Sequence, residues 1–488
     1  MENTTLLQLW KNLQKRERLQ LRKWLLSPYH NVRTDILELF DLLNAAPEAE
    51  LGLLTKHTIF EKLFPGAPYD NDVLNHLFSF LTKQIESFLT YEEITKNEPD
   101  WHQLFLARAL RRRQIPGAFE RKIAVLEQTH AEKPQRNADW HLIRYQIQRE
   151  KLAQQSLQSH TKSPDLGTVT EALTHFFLLE NIHLNATGLS FKSLYGSESK
   201  VPLSEEVLAM AAGFAERDFQ NLKNSGNQNA VPSPATLALE IVRLSFQAQN
   251  DPADEGSFQK LKTLLPENEH LFNAAEWHDL YRSAINFALR RHNRGERPGY
   301  TQEALDLYRT SLEKGFLFES GKLPKAAYNN INRLACLLGE RDFAAVFLEK
   351  YRDALPIADR ENVYRFNRAI FHYLSGEDFQ QVPKLLQSFD FTDVYMNLHA
   401  REMLLRSYFE LEEWQSLASL CDSFSTYLRR KKDLGYHRKT FLNLIKFIRQ
   451  AMKPGAMQGK KAKKLAAKIR SAEYVAGREW LLGKLGME

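Results

Sequence analysis

Three short stretches decide the fold: Leu337-Leu338-Gly339-Glu340-Arg341-Asp342-Phe343, Tyr373-Leu374-Ser375-Gly376-Glu377-Asp378-Phe379 and Tyr408-Phe409-Glu410-Leu411-Glu412-Glu413-Trp414. Their closing aromatics stand 36 and 35 residues apart. Nine positions before each aromatic lie Leu334, Ile370 and Leu405; six before lie Leu337, Tyr373 and Tyr408; five before lie Leu338, Leu374 and Phe409. Three apolar columns in one register describe a repeated unit. It is an amphipathic helix, a short acidic turn, and a second helix whose opening aromatic packs back on the first. One such hairpin leaves a face bare and a neighbour of the same kind covers it, so a period of about 34 residues implies a stack of hairpins.

Looser copies flank these three. Ala288-Leu289 to Pro298-Gly299-Tyr300, followed by Ala304 and Tyr308, reads as one. Leu244 to Phe258, with Asn250 to Gly256 inserted, reads as another, and Leu106 to Phe119, with Ile123, Leu126 and then Trp140, as a third. Elsewhere apolar residues recur at spacings of three and four, and sustained period-two alternation is scarce. Breakers such as Ser27-Pro28, Pro65-Gly66, Pro116-Gly117, Pro232-Ser233-Pro234, Asp251-Pro252 and Pro454-Gly455 fall between the helical segments. The pattern predicts an all-α protein.

A small residue or glycine ahead of the turn aromatic, with Ala or a small aliphatic a few positions on, resembles the tetratricopeptide family and its divergent relatives. The resemblance covers about residues 100–450 and is closest over 325–430; the regular Trp early in the first helix and the Pro that ends each family repeat are missing. It implies a right-handed α-solenoid of antiparallel helix hairpins whose first helices line a concave groove. At 14, 11 and 7 positions before the turn aromatic, those helices carry Asn329, Asn332 and Cys336 in one repeat and Arg365, Arg368 and His372 in the next. Such offsets lie on one helical face. In the groove of such an array Asn329, Asn332, Arg365, Arg368 and His372 would bind carboxylates or peptide backbone, with Arg282 and Asn286 extending the surface. The plainer reading of the same stripe is a solvated helix face.

Residues 1–95 read as a separate helical domain of four helices. These are built on Leu6, Leu9, Trp10 and Leu13; on Ile36, Leu37, Phe40 and Leu43 after a Thr34 cap; on Ile59 and Leu63 after Thr55; and on Leu74 to Leu89 after Asp72. Thr55 to Phe88 loosely resembles the helix pair of winged-helix activator domains, which implies a second function, a regulator touching nucleic acid through residues 1–95. No β-wing is legible, however, and the second helix of the pair is poor in Arg and Lys. Residues 96–450 form the repeat region and 451–488 a basic C-terminal capping helix. Seven Lys and two Arg face three Glu in that last segment, a net charge of 9 − 3 = +6 that equals the whole chain's 66 − 60 = +6. Lys460, Lys461, Lys463, Lys464 and Lys468 crowd a helix whose Leu465, Ile469, Ala472 and Ala476 would face inward, with Trp480, Leu481 and Leu485 as an anchor. Without interleaved aromatics on which bases could stack, the cluster reads as a solvated basic face.

Hydrophobic residues make up 43% of the chain and charged residues 26%, which excludes wholesale disorder. Two cysteines, Cys336 and Cys421, exclude a disulfide framework and a multi-cysteine zinc module and fit a reducing compartment. The first thirty residues hold no apolar core of a signal peptide, so a cytoplasmic location is expected. No run approaches the ~18 apolar residues that would span a bilayer. The chain contains no His-Glu-x-x-His and no Gly-x-Ser-x-Gly, and Gly455 to Lys461 has neither the spacing nor the Ser or Thr of a phosphate loop. No metal, cofactor or membrane is expected, and nucleic acid is not favoured as a partner. The sequence predicts a non-enzymatic, cytoplasmic scaffold that binds a peptide or partner protein.

Overall fold

A computed structural model describes residues 4–47, 55–158, 165–195, 204–224, 232–251, 253–296, 299–376, 378–386, 394–431 and 434–487; Pro252, Pro298 and Glu377 of the segments read above lie outside them. The protein is all-helical. Among the described residues no strand forms, and the one β-type pairing is an isolated bridge between Glu319 and Lys322. None of the described helices is long and apolar enough to cross a membrane. The chain divides into two compact units, Met1–Phe177 and Leu178–Glu488.

In the first unit, α1 (Thr5–Asn12), α2 (Lys15–Leu26), α3 (Thr34–Ala45), α4 (Lys56–Leu63) and α5 (Asn71–Glu92) enclose one core that includes Trp10, Leu21, Phe40, Leu77 and Ile85. Trp10 meets Phe40 edge-on, ring centres 5.1 Å apart. Four helices were expected before residue 95 and five form. Leu13 and Gln14 adopt extended backbone, and Gln14 with Glu17 makes a capping box that starts α2 afresh. Thr55 caps α4 as expected, its side chain accepting from the Thr58 amide at 3.1 Å. The fourth expected cap shifts by two residues: Asp70 accepts from the amides of Asp72 and Val73 at 2.8 and 3.2 Å. α3 is entered from Arg33, so Thr34 is its first residue and not its cap.

After α5 comes a π-turn (Glu93–Asn97) and then α6 (Pro99–Arg112), so no β-wing follows the α4–α5 pair. α6, α7 (Pro116–Ala131) and α8 (Ala138–Gln158) enclose a second core around Leu104, Phe119 and Ile147. Glu150 of α8 accepts from Arg108 and Arg111 of α6 at 2.6 and 2.7 Å. α9 (Leu166–Tyr195) includes the boundary between the units.

The second unit continues with α10 (Ser204–Asn224), α11 (Pro234–Asn250), α12 (Glu255–Glu267), α13 (Ala274–Asn293), α14 (Gly299–Glu313), α15 (Lys325–Leu337), α16 (Arg341–Lys350), α17 (Arg360–Ser375) and α18 (Gln381–Leu386). α19 (Val394–Glu410), α20 (Trp414–Arg430), α21 (Gly435–Ala451), α22 (Gly459–Ser471) and α23 (Arg478–Lys484) complete it. Most of its buried apolar residues, from Ala238 to Leu485, form one cluster.

Five of the helix pairs share one feature at their turns. The pairs α6/α7, α13/α14, α15/α16, α17/α18 and α19/α20 each reverse through one left-handed residue, at Gln114, Gly295, Gly339, Gly376 and Glu412. After Gln114, Gly295, Gly339 and Glu412 the next amide returns to the carbonyl five residues back, at 3.1, 3.2, 2.9 and 2.9 Å. That closure satisfies carbonyls the ending helix would otherwise leave without donors. The three turn aromatics sit at the mouths of the second helices. Phe379 meets Tyr373 edge-on at 6.1 Å, Trp414 meets Phe409 at 5.4 Å, and Phe343 lies 4.1 Å beneath the Arg309 guanidinium. The first helices pack against one another, α15 on α17 and α17 on α19.

Candidate binding cleft

Packing three first helices side by side leaves a cleft of about 420 Å³ between α15, α17 and α19. Phe366 and Ile370 of α17 and Met396 and Met403 of α19 give it an apolar floor, each nearly buried. The two methionines are the kind of side chain that reshapes around different occupants. Polar groups stand above this floor. Asn329, Asn330, Lys325 and Arg333 come from α15, Tyr373 from α17, and His399, Glu402 and Arg406 from α19.

One charge in the cleft is already spoken for. Glu402 accepts from Arg406 and, at 3.3 Å, from His399 Nδ1. Burial alone would push the Glu402 carboxyl up; the hydrogen bond from His399 and the charges of Arg406, His399 and Arg333 hold it below the usual carboxylate range. Arg406 also donates to the Tyr373 hydroxyl at 2.6 Å, and its guanidinium lies 5.3 Å from the Trp480 ring centre. Gly477 backs onto it so closely that a Cβ there would stand 2.2 Å from Arg406 Nη2. Arg333, by contrast, is exposed and makes no hydrogen bond or ion pair among the described residues. Of the three cations that line the cleft, Arg406 pairs with Glu402 and Lys325 lies 4.0 Å from Asp359, which leaves Arg333 as the one with no ion pair among the described residues.

The expected site residues separate in space. Asn329 lines the cleft. Asn332 does not, because it is fully buried and donates to the Asn367 carbonyl at 2.9 Å, while Asn367 donates to Asn329 at 2.5 Å. It forms a buried polar pair with Asn367, 35 residues on; Glu402, a further 35 residues on, follows at the same spacing but lines the cleft. Arg365 and Arg368 turn away from the cleft. Arg365 donates to the Lys384 carbonyl of α18 at 3.4 Å, and Arg368 pairs with Glu349 of α16 at 3.1 Å. His372 follows them, and burial with the nearby Arg368 charge lowers its pKa below the ordinary histidine value. Arg282 is exposed and pairs with Asp279 at 2.9 Å; Asn286 is exposed on the same helix, and neither lines this cleft. The face that does line it, Phe366, Ile370, Tyr373 and Leu374, lies one residue off the stripe read from the sequence.

Cys336 and Cys421 are both free thiols, and burial pushes them up to about 12 and about 11, so neither is a thiolate nucleophile. Among the described residues no three His, Cys, Asp or Glu side chains are grouped so as to hold a metal ion. The five lysines of α22 are exposed, while Leu465 and Ile469 on its other side are buried as expected. α22 ends at Ser471, so Ala472 and Ala476 follow it in extended and turn backbone. No family model, no curated protein and no solved structure matches this chain.

Proposed function

We propose that the hairpins of the second unit form a tetratricopeptide-like, right-handed solenoid, and that the chain is a non-enzymatic cytoplasmic scaffold capturing a peptide segment of a partner protein in the α15–α17–α19 cleft. The observation that carries this reading is the cleft's two-part lining, an apolar, methionine-rich floor beside a polar rim where Arg333 is exposed and, apart from the charge of Glu402 that Arg406 and His399 already engage, makes no hydrogen bond or ion pair among the described residues. The ligand that fits is a segment placing a Leu, Met or aromatic side chain on the floor and an Asp, Glu or terminal carboxylate against Arg333 and Lys325. Glu402 repels anions less than its formal charge suggests, since Arg406 and His399 already hold it. Two free thiols, Cys421 buried and Cys336 half-buried, support a reducing compartment.

Selection from a displayed library of random dodecapeptides tests the proposal. Enriched sequences should pair an apolar anchor with an acidic residue, and Arg333→Glu should weaken the best of them at least about tenfold, as loss of one charge-assisted contact does. Met403→Glu should abolish binding by placing a charge on the floor. Binders indifferent to both substitutions would refute the assignment.

A further inference from the structure

α22 is built against its own electrostatics. Gly459–Ser471 contains no carboxylate, and its first turn holds Lys460 and Lys461, where the helix dipole favours anions. Gln458, at the cap position, supplies no side-chain hydrogen bond. Lys460, Lys464 and Lys468 follow one another four residues apart, so like charges recur along one line at intervals of about 6 Å. A helix that only needs solvation places Glu at such positions. Lys461 and Lys463 flank the line. None of the five ammonium groups makes a hydrogen bond or ion pair among the described residues, whereas those of the nearby Lys439 and Lys484 pair with Glu473 and Glu410.

We infer that the exposed face of α22 binds the phosphate backbone of a nucleic acid without reading its bases. Charge complementarity carries the assignment: a row of uncompensated cations matches a polyanion whose charges also come in rows, and phosphates relieve both the lysine repulsion and the uncapped helix start. The cations are lysines, point charges that neutralise phosphate but lack the planar fork that reads guanine. A bilayer fits less well. An amphipathic helix holds a membrane by inserting its apolar face, and here Ala462, Leu465, Ala466 and Ile469 are already buried in the protein. The surface is independent of the peptide cleft.

The test is fluorescence anisotropy of a labelled mixed-sequence 24-base-pair DNA duplex, and of the matching RNA duplex, with the full-length protein from 50 to 200 mM KCl. With three to five phosphate contacts, the slope of log K against log salt on the DNA duplex should be about −2.7 to −4.5. The triple variant Lys460→Gln, Lys464→Gln, Lys468→Gln should flatten that slope by about 2.7 and weaken binding at 50 mM at least about tenfold. Lys11→Gln, Lys15→Gln, Lys23→Gln, an equal charge change in the first unit, should alter neither. All six side chains are exposed, so circular dichroism should report intact helices in both variants. No binding at 50 mM salt overturns the inference, as does a slope unchanged in the α22 variant. Binding to phosphatidylserine vesicles that depends on these lysines, with none to either duplex, overturns it in favour of a membrane surface.

Discussion

Replacing Gly477 with Ala tests how rigidly Arg406 is held in the cleft wall. Gly477 has φ 62° and ψ 33°, left-handed backbone that costs an L-residue roughly 1–2 kcal/mol. The new methyl would also stand 2.2, 2.6 and 2.9 Å from Nη2, Cζ and Nε of Arg406. An unrestrained arginine would swing aside at little cost. This one is about 15% exposed, donates to Tyr373 and Glu402, and lies against the Trp480 ring, so clearing the methyl breaks at least one charged hydrogen bond. Losing such a bond in a buried setting costs about 1.5–3 kcal/mol. The total is roughly 2.5–5 kcal/mol, well above the usual effect of adding a methyl at the surface. Urea unfolding of Gly477→Ala, Arg406→Ala and the double variant isolates the clash. With Arg406 truncated, Gly477→Ala should cost only the backbone part, about 1–2 kcal/mol. Equal costs in the two backgrounds would show that the guanidinium yields freely and that the cleft wall is soft.

Glu412 and Gln114 occupy left-handed turn positions that glycine fills at Gly339, so Glu412→Gly and Gln114→Gly should each stabilise by about 0.5–1 kcal/mol, the relieved strain outweighing the extra freedom of the unfolded chain. Melting curves check this, and a lowered melting temperature would show that the Glu or Gln side chain contributes more than its backbone loses. In the first unit, His141 is buried against His175 with no hydrogen-bond partner on either ring nitrogen among the described residues. Burial, and then the charges of His175, Arg144, Arg136 and His130, push its pKa down from 6.5 to about 2. Below pH 6.5 the unfolded chain therefore takes up a proton that the folded chain refuses. His141's contribution is intact above that pH and is lost as pH falls, at up to about 1.4 kcal/mol per unit. His141→Phe should flatten the acid limb of a stability-against-pH curve while costing at most about 1 kcal/mol at pH 8, and an unchanged limb would exclude His141 as its source.

The helical class and the turn positions were legible because apolar period and turn chemistry are local properties. Phe379 and Trp414 do pack back on the first helices of their hairpins, as their spacing implies. The face of the cleft was not legible. Asn329 and Asn332 are three residues apart and so about 60° apart around α15, enough for one to reach the cleft and the other to enter the core. Polarity alone gave both the same reading. The missing signal was present as a period: Asn332 and Asn367, 35 residues apart, are the buried, hydrogen-bonded pair, but the recurrence emerges only when the repeats are aligned on something other than the aromatics. Arg365 and Arg368 misled for a related reason, since a long side chain can leave the face its Cα suggests and pair with a neighbouring second helix. The break between α1 and α2 rests on a Gln–Glu capping box, which a search for Ser, Thr, Asp or Asn passes over.

Glu410 lies at the end of α19, yet its partners, Trp480 at 2.7 Å and Lys484 at 2.5 Å, follow it by 70 and 74 residues. Arg406, one turn earlier, waits for Gly477 and Trp480 in the same way. A nascent chain lengthening from its N-terminus would thus expose the wall of the cleft with these side chains unmatched until α23 has been synthesised. The proposed peptide capture would then be a property acquired late in translation, and a chain halted between α19 and α23 would carry most of the cleft lining without the tryptophan against which Arg406 lies.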